Sequence, residues 1–291
     1  MQKEKVIALI EASGYLPQLP TDISEILDIL RDPLDVDIDL LIDKVSRSKE
    51  LNDLMLKNIN SGYYKLTKEI KNIRDAVVYL GMQAVQNLLV FFIILRLFPR
   101  TLKKLDRTFD LRKYFKHVLG TSVGSLMLAE RIKKGDKYRL FTYGLIHDVG
   151  IIVLDTCLPA LMDEIMTKLQ NGVHQLVAER IVLGGLTHAE IGEWLLRKWN
   201  LREDFIDVVH FHHSPFSAKN NLEELMLLYV ADVISTEYYQ RLLGVNLNIN
   251  INNKVKETLG LTEDDIKTVI KNLPDEIDKV SNYFSVYFME E

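Results

Sequence analysis

The chain has 291 residues, of which 47% are hydrophobic and 26% charged, and a formal net charge of −5. That length leaves room for one large or two modest domains with a real core. That charge gives no global field favouring DNA, RNA or an anionic membrane. The single cysteine, Cys157, forms no internal disulfide, which matches a cytoplasmic setting and a small buried side chain.

Met1-Gln2-Lys3-Glu4-Lys5 runs straight into a mixed helix with no leader pattern. The strongest apolar run, Leu88 to Phe98, is interrupted by Arg96 and is shorter than the ~20 residues that span a bilayer. A helix buried on all sides is expected there. Strand-like alternation is nearly absent, while apolar residues recur at helical spacing almost throughout. An all-α fold is the expectation, a multi-helix bundle with an N-terminal helical subdomain.

In chain order, a first helix spans Lys3–Ala12. Thr21 or Asp22 is expected to cap a helix carrying Ile23, Ile26, Leu27 and Leu30, ended by Asp32-Pro33. A third helix, Ile38–Ser46, presents Leu40, Leu41 and Val45. A fourth, near Lys49–Asn58, presents Leu51, Leu54, Met55 and Ile59, and Asn60-Ser61-Gly62 breaks it before Tyr63-Tyr64. Ile73–Leu80, Gly81 and the helix Gln83–Leu97 complete this part. The two helices around Gly81 have the outline of a helix-turn-helix, but the second offers Gln83, Gln86 and Asn87 with no basic residue before Arg96. Phosphate contacts need Lys or Arg at the docking face, so nucleic acid is excluded as the main partner.

A basic linker, Arg100-Thr101-Leu102-Lys103-Lys104, divides residues 1–100 from a core of residues 101–244, followed by an extension of residues 245–291. The core opens with Leu111–Lys133, which carries His117. Arg139–His147 ends in Gly144-Leu145-Ile146-His147-Asp148-Val149-Gly150. Ile151–Lys168 is broken by Pro159, and Val173–Leu183 ends at Gly184-Gly185. Thr187 caps His188–Trp199; Glu203–His212 and Leu222–Leu242, with Asp232, follow. Thr262-Glu263-Asp264-Asp265 resembles a capping box. Pro274-Asp275 is expected to start a separate last helix bearing Tyr283, Phe284, Tyr287 and Phe288, which closes the core or forms a homodimer contact.

Six of the seven histidines, all but His174, stand in helical contexts between positions 117 and 213. Asp148 adjoins His147, and Asp232 lies among Leu225, Leu227, Leu228, Val233 and Ile234. A carboxylate in such surroundings needs a cation or hydrogen-bond donors. Each of these residues alone has a structural reading. Together, the order His117, His147-Asp148, His188, His212-His213, Asp232 supplies neutral nitrogens and carboxylates for one divalent metal, or two.

These residues, with Leu19-Pro20, Asn60-Ser61, Tyr63-Tyr64, Ala76 to Gly81, His188-Ala189-Glu190-Ile191-Gly192, Leu195, Trp199 and Pro215, resemble the HD superfamily of metal-dependent phosphohydrolases. The closer similarity is to its HDOD branch of bacterial signalling proteins, over about Leu16 to Leu242. The resemblance implies that His117, His147, Asp148 and Asp232 hold a first metal, with His147 and Asp148 at the catalytic position. It implies that His188, His212 and His213 add a second, with Asp148 bridging, drawn from Fe, Mn, Zn, Mg or Ni. His210 has no counterpart and reads as structural. Many HDOD members have lost part of this set; this chain keeps it.

The departures are Ile151, where the HD-GYP relatives carry lysine, Ser214-Pro215-Phe216 in place of the GYP element, and Ser48-Lys49 in place of Asp-Pro. Losing the lysine argues against cyclic-dinucleotide hydrolysis. Lys113, one turn before His117, is the nearest candidate for a phosphate contact and reads more simply as a surface residue. The expected function is a signalling module acting on a protein partner, with no membrane or nucleic acid. Its alternative is a phosphohydrolase acting on a phosphorylated small molecule or nucleotide.

Overall fold

The computed structural model describes residues 3–30, 36–60, 68–97, 107–242 and 250–288, apart from the side chains at 83, 94–97, 111–112, 239–242 and 281–288. Asp32-Pro33, Ser61 to Tyr64, the linker 100–104 and residues 245–249 fall outside it, as do the side chains of Arg96, Tyr283, Phe284, Tyr287 and Phe288. The fold is all-α, with no strand among the described residues.

The N-terminal part holds α1 (Lys3–Ala12), α2 (Thr21–Ile29), α3 (Ile38–Arg47), α4 (Lys49–Ile59), α5 (Ile73–Leu80) and α6 (Met82–Leu97). In α2, Ile23, Ile26 and Leu27 are buried, but the capping expectation fails. Pro20 occupies the cap position with no side-chain bond, because the extended Pro17 to Pro20 lead-in carries the chain directly into Thr21. In α3, Leu41 and Val45 are buried whereas Leu40 is 42% exposed. Leu41 and Val45, four residues apart, define the packed face, and Leu40, about 100° round from Leu41 and further still from Val45, falls outside it.

Asn60 closes the chain after α4 with its side-chain amide. Its Nδ2 donates to Ile70 O and its Oδ1 accepts from Ile70 N–H, both at 2.7 Å, as two strands would. From Ala84 to Ile93, α6 is buried on every side, which its uninterrupted apolar run requires. It packs against α4, α5 and the helix that carries His147.

The second part is built around α7 (Leu111–Ile132), flanked by α8 (Lys137–Ile146), α14 (Leu222–Leu242) and α16 (Glu263–Phe288). Between them come α9 (Val149–Cys157), α10 (Pro159–Gln170), α11 (Gln175–Val182), α12 (His188–Lys198), α13 (Glu203–Phe211), a 3-10 turn at Pro215–Ser217, and, after α14, α15 (Asn253–Leu259). Asp136 caps α8 by accepting from Tyr138 N–H and Arg139 N–H. Glu190 accepts from Thr187 N–H at 2.9 Å to open α12. Thr262 and Asp265 make the reciprocal pair expected at the start of α16. The N-terminal helix α1 lies on α9 and is tied to α12 through Glu11–Lys198 at 2.8 Å.

Pro274 does not begin a new helix; it sits inside α16. Proline costs a helix one hydrogen bond. Here the buried stripe Ile266, Val269, Leu273, Ile277 and Val280 runs on across Pro274 against α7 and outweighs that loss. Among the described residues one stretch, Lys137–Cys157, is long and apolar enough to cross a membrane, but its most apolar part is almost wholly buried inside the protein. Its hydrophobicity serves the core.

Gly150 fixes the approach of α9 to α12. A Cβ there would strike the carbonyl of His188 and lie 2.9 Å from Gly192 N, both backbone atoms that cannot swing aside. Gly150→Ala is therefore expected to destabilise the fold by about 3 kcal/mol or more, read as a lower urea midpoint. A wild-type midpoint would mean that the two helices have slack.

Candidate metal centre

His147 is the last residue carried by α8, Asp148 stands at the start of α9, and their junction is fully packed. Near one end of the shared carboxylate lie His117 from α7 and Asp232 from α14. Asp148 Oδ2 is 3.3 Å from His117 Nε2 and 3.4 Å from His147 Nε2. Asp232 Oδ1 is 3.4 Å and 3.6 Å from the same two nitrogens. The nitrogens are 3.3 Å apart.

At the other end, Asp148 Oδ1 is 3.1 Å from His188 Nε2 and 3.4 Å from His212 Nε2. His188 Nε2 is in turn 3.2 Å from His212 Nε2 and 3.0 Å from His213 Nε2. His213 Nδ1 reaches back to Asp232 Oδ2 at 3.4 Å, closing the ring. All seven residues singled out from the sequence thus meet in one cluster. His210 does not; it turns to Glu193. Lys113 pairs loosely with Asp110 on its own helix.

The hydrogen bonds behind the rings decide which nitrogen is free. His147 Nδ1 donates to Gly144 O at 2.7 Å and His212 Nδ1 to Val209 O at 2.8 Å. Each histidine ends its helix, and each carbonyl lies three residues back, where a helix has acceptors to spare. A carbonyl only accepts, so in the neutral rings the proton is on Nδ1 and the lone pair on Nε2. His188 Nδ1 instead donates to Glu179 Oε1 at 2.7 Å. Tyr114 Oη donates to the carbonyl of Asp148 at 2.8 Å, and Thr236 Oγ1 donates to Asp232 Oδ1 at 3.2 Å.

Lone pairs facing one another across about 3 Å repel, and Asp148 Oδ1 is buried without a hydrogen bond. A cation between them resolves both problems. Metal–ligand bonds of about 2.0–2.2 Å place neighbouring ligand atoms about 3.0–3.5 Å apart, the spacing found here. The groups Asp148–His188–His212–His213, His117–His147–Asp148 and His147–His212–Asp232 can each hold a metal ion. Burial works to raise the Asp148 carboxyl pKa, but the surrounding imidazoles of His147 and His188 hold it well below the usual range. Burial also pushes the His213 ring well down, with His212 adding to it. At His147 and His188 the neighbouring carboxylates outweigh burial and raise the ring, so a cation would have to displace a proton there.

Glu179, which composition and spacing did not single out, is fully buried on α11. The one signal in the sequence is a carboxylate on the inward stripe Ala178, Glu179, Val182. Arg202 was missed as well. It pairs with Asp204 through Nε–Oδ1 at 3.0 Å and Nη2–Oδ2 at 2.7 Å, and Tyr143 Oη donates to Asp204 Oδ2 at 2.9 Å. This network joins the start of α13, whose far end carries His212, to the last turn of α8, just before His147.

The seven side chains form a candidate metal-binding cluster in an all-helical domain. The HDOD domain profile matches residues 16–215, and the chain belongs to the HDOD family. It is 29% identical over 205 residues to an uncharacterized protein of Treponema pallidum, a match that takes in 68% of this chain and 38% of that one. The chain thus spans well under half the length of that curated relative. Among solved structures it is similar to one from Shewanella amazonensis, provisionally named a phosphohydrolase, with TM-score 0.64, 24% identity, and 91% and 98% of the two chains covered. It is also similar to one from Marinobacter aquaeolei, provisionally named a signal transduction protein, with TM-score 0.73, 20% identity, and 94% and 60% covered. At those identities the likeness establishes the fold.

Burial raises the Asp204 carboxyl pKa, but the Arg202 guanidinium more than offsets this and holds it below its ordinary value. A carboxyl depressed in the folded state adds stability above its unfolded value, about 3.9, and loses it as pH falls through the folded value. Asp204→Asn leaves Arg202 buried without its charge partner and is expected to cost about 3–5 kcal/mol at pH 7. The gap from wild type should narrow below about pH 4. A pH-independent gap in urea unfolding would refute the role given to the pair.

Proposed function

We propose that the chain is a signal-transduction module that holds one or two divalent cations in the cluster around Asp148 and acts by binding a protein partner. The observation that carries this reading is the closure of the centre. The side chains of His117, His147, Asp148, His188, His212 and Asp232 are at most 7% exposed, and His213 alone reaches 26%. Structural metal sites are closed, whereas catalytic ones keep an open position. Ile151, at the place of the HD-GYP lysine, is buried and offers a phosphate no cation. The provisional name of the Marinobacter aquaeolei structure points the same way.

In this reading residues 1–100 supply the partner-docking surface, 101–244 the metal core and 245–291 the closing extension, within a cytoplasmic protein. The contact of α1 with α9 and α12 means that the first unit is anchored on the second.

A second reading, a metal-dependent phosphohydrolase, is favoured by the two-sided use of Asp148, whose oxygens face different nitrogen groups. Bound there, a divalent cation would polarise a phosphoryl oxygen and bring the pKa of a water toward about 7. Asp148 would hold the two halves in register, with Tyr114 fixing its backbone. His213, the most exposed member, marks the side from which a phosphoester would approach and a leaving oxygen could be protonated.

Metal analysis of the purified protein, with generic phosphodiester, nucleotide and cyclic-dinucleotide assays in Mn²⁺ or Fe²⁺, separates the two readings. Bound metal without turnover is expected, with chelation lowering the melting temperature by about 5 °C. Asp148→Ala should abolish metal binding in a folded chain. Turnover in wild type that Asp148→Ala eliminates would establish the phosphohydrolase instead.

A further inference from the structure

Within the proposed metal centre, Glu179 has no place among the ligands, yet it is a wholly buried carboxylate. Its oxygens are fully engaged. Oε1 accepts from His188 Nδ1 at 2.7 Å and from Gln175 Nε2 at 3.0 Å, and Oε2 accepts from the backbone N–H of His188 at 2.9 Å.

The need for it follows from where His188 sits. His147 and His212 end their helices and use spare carbonyls of their own last turn. His188 is the first residue of α12, where a helix has spare N–H groups and no spare carbonyl. Its ring must borrow an acceptor from elsewhere, and α11 supplies one. The charge distribution points the same way. His117 and His147 face one oxygen each of Asp148 and Asp232, while His188, His212 and His213 face the other two. Three imidazoles thus share the carboxylate charge that two share on the other side.

We infer that Glu179 is the positioning residue for the second cation, fixing the Nε2 lone pair of His188 on it and supplying the charge that half of the centre lacks. This inference rests on the metal-centre reading. A carboxylate behind an imidazole raises its basicity as a ligand, and loss of such a partner typically weakens metal binding by about 10–100-fold. Glutamine cannot replace it, because one amide oxygen faces two donors, the ring N–H and the backbone N–H of His188.

The test is Mn²⁺ titration of the metal-free full chain, read by metal content after dialysis and by electron paramagnetic resonance. Wild type should take two ions per chain and show the signal of an exchange-coupled pair. Glu179→Gln should hold the first ion with unchanged affinity, bind the second about 10–100-fold more weakly, and show an isolated-ion signal at matched loading. Glu179→Asp, which keeps the charge one methylene short, should regain part of the second affinity. Coupled pairs at wild-type affinity in Glu179→Gln would overturn the inference while leaving the metal centre standing. Wild type that binds no Mn²⁺, Fe²⁺ or Zn²⁺ would overturn both. If both variants unfold while the metal-free wild type is folded by circular dichroism, Glu179 serves the fold alone and the inference fails.

Discussion

One carboxylate holds this structure to its centre. Asp148 stands where α8 gives way to α9, and its two oxygens face two separate sets of imidazole nitrogens. The surrounding helices are arranged to bring those nitrogens to it. Burying such a group costs several kcal/mol unless it is compensated. The side chains placed to hold a compensating cation are up to 115 positions apart in sequence, from His117 to Asp232, so the centre and the fold depend on one another.

The backbone does much of the aiming. Two ligand histidines lie at helix C-termini, where the unpaired carbonyls of the last turn lock the ring with Nε2 outward. The first turn of α13 is fastened to the last turn of α8 by Arg202, Asp204 and Tyr143. Arg202 also leans on Gln86 and Asn87 of α6, at 3.5 and 3.4 Å. One buried polar network therefore spans the N-terminal part and both ligand-bearing helices. A load on α6 and a cation at Asp148 would bear on the same two rods.

The sequence exposed the clustered residues because their chemistry is at odds with their setting: histidines and aspartates in apolar helices demand partners, and their order pointed to one another. It also exposed the buried helix α6, whose apolar run has no polar face to turn outward. Glu179 stayed hidden because α11 carries ordinary charges, and nothing in Ala178-Glu179-Arg180 tells an inward carboxylate from an outward one. Leu40 misled because Leu41 beside it fits the same short repeat. Pro274 misled because local rules end a helix at proline, and only the packing of the stripe from Ile266 to Val280 on α7 carries the helix through. Local chemistry was legible; the balance between a local cost and a distant contact was not.

The closure of the centre decides how its two uses compare. Opening it to a phosphoester would require exposing groups that are now almost wholly buried, among them His147, His188 and His212, each locked in place by a hydrogen bond behind its ring. His213 is the exception, placed just before the 3-10 turn at Pro215–Ser217 rather than within a helix. Movement there would cost its contacts to His188 and Asp232, whereas movement of His147, His188 or His212 would also break the bonds to Gly144, Glu179 or Val209. On the proposed reading, a centre held this tightly is better suited to keeping cations than to exchanging substrate over them. Stability linked to metal occupancy would then be what the fold offers a partner.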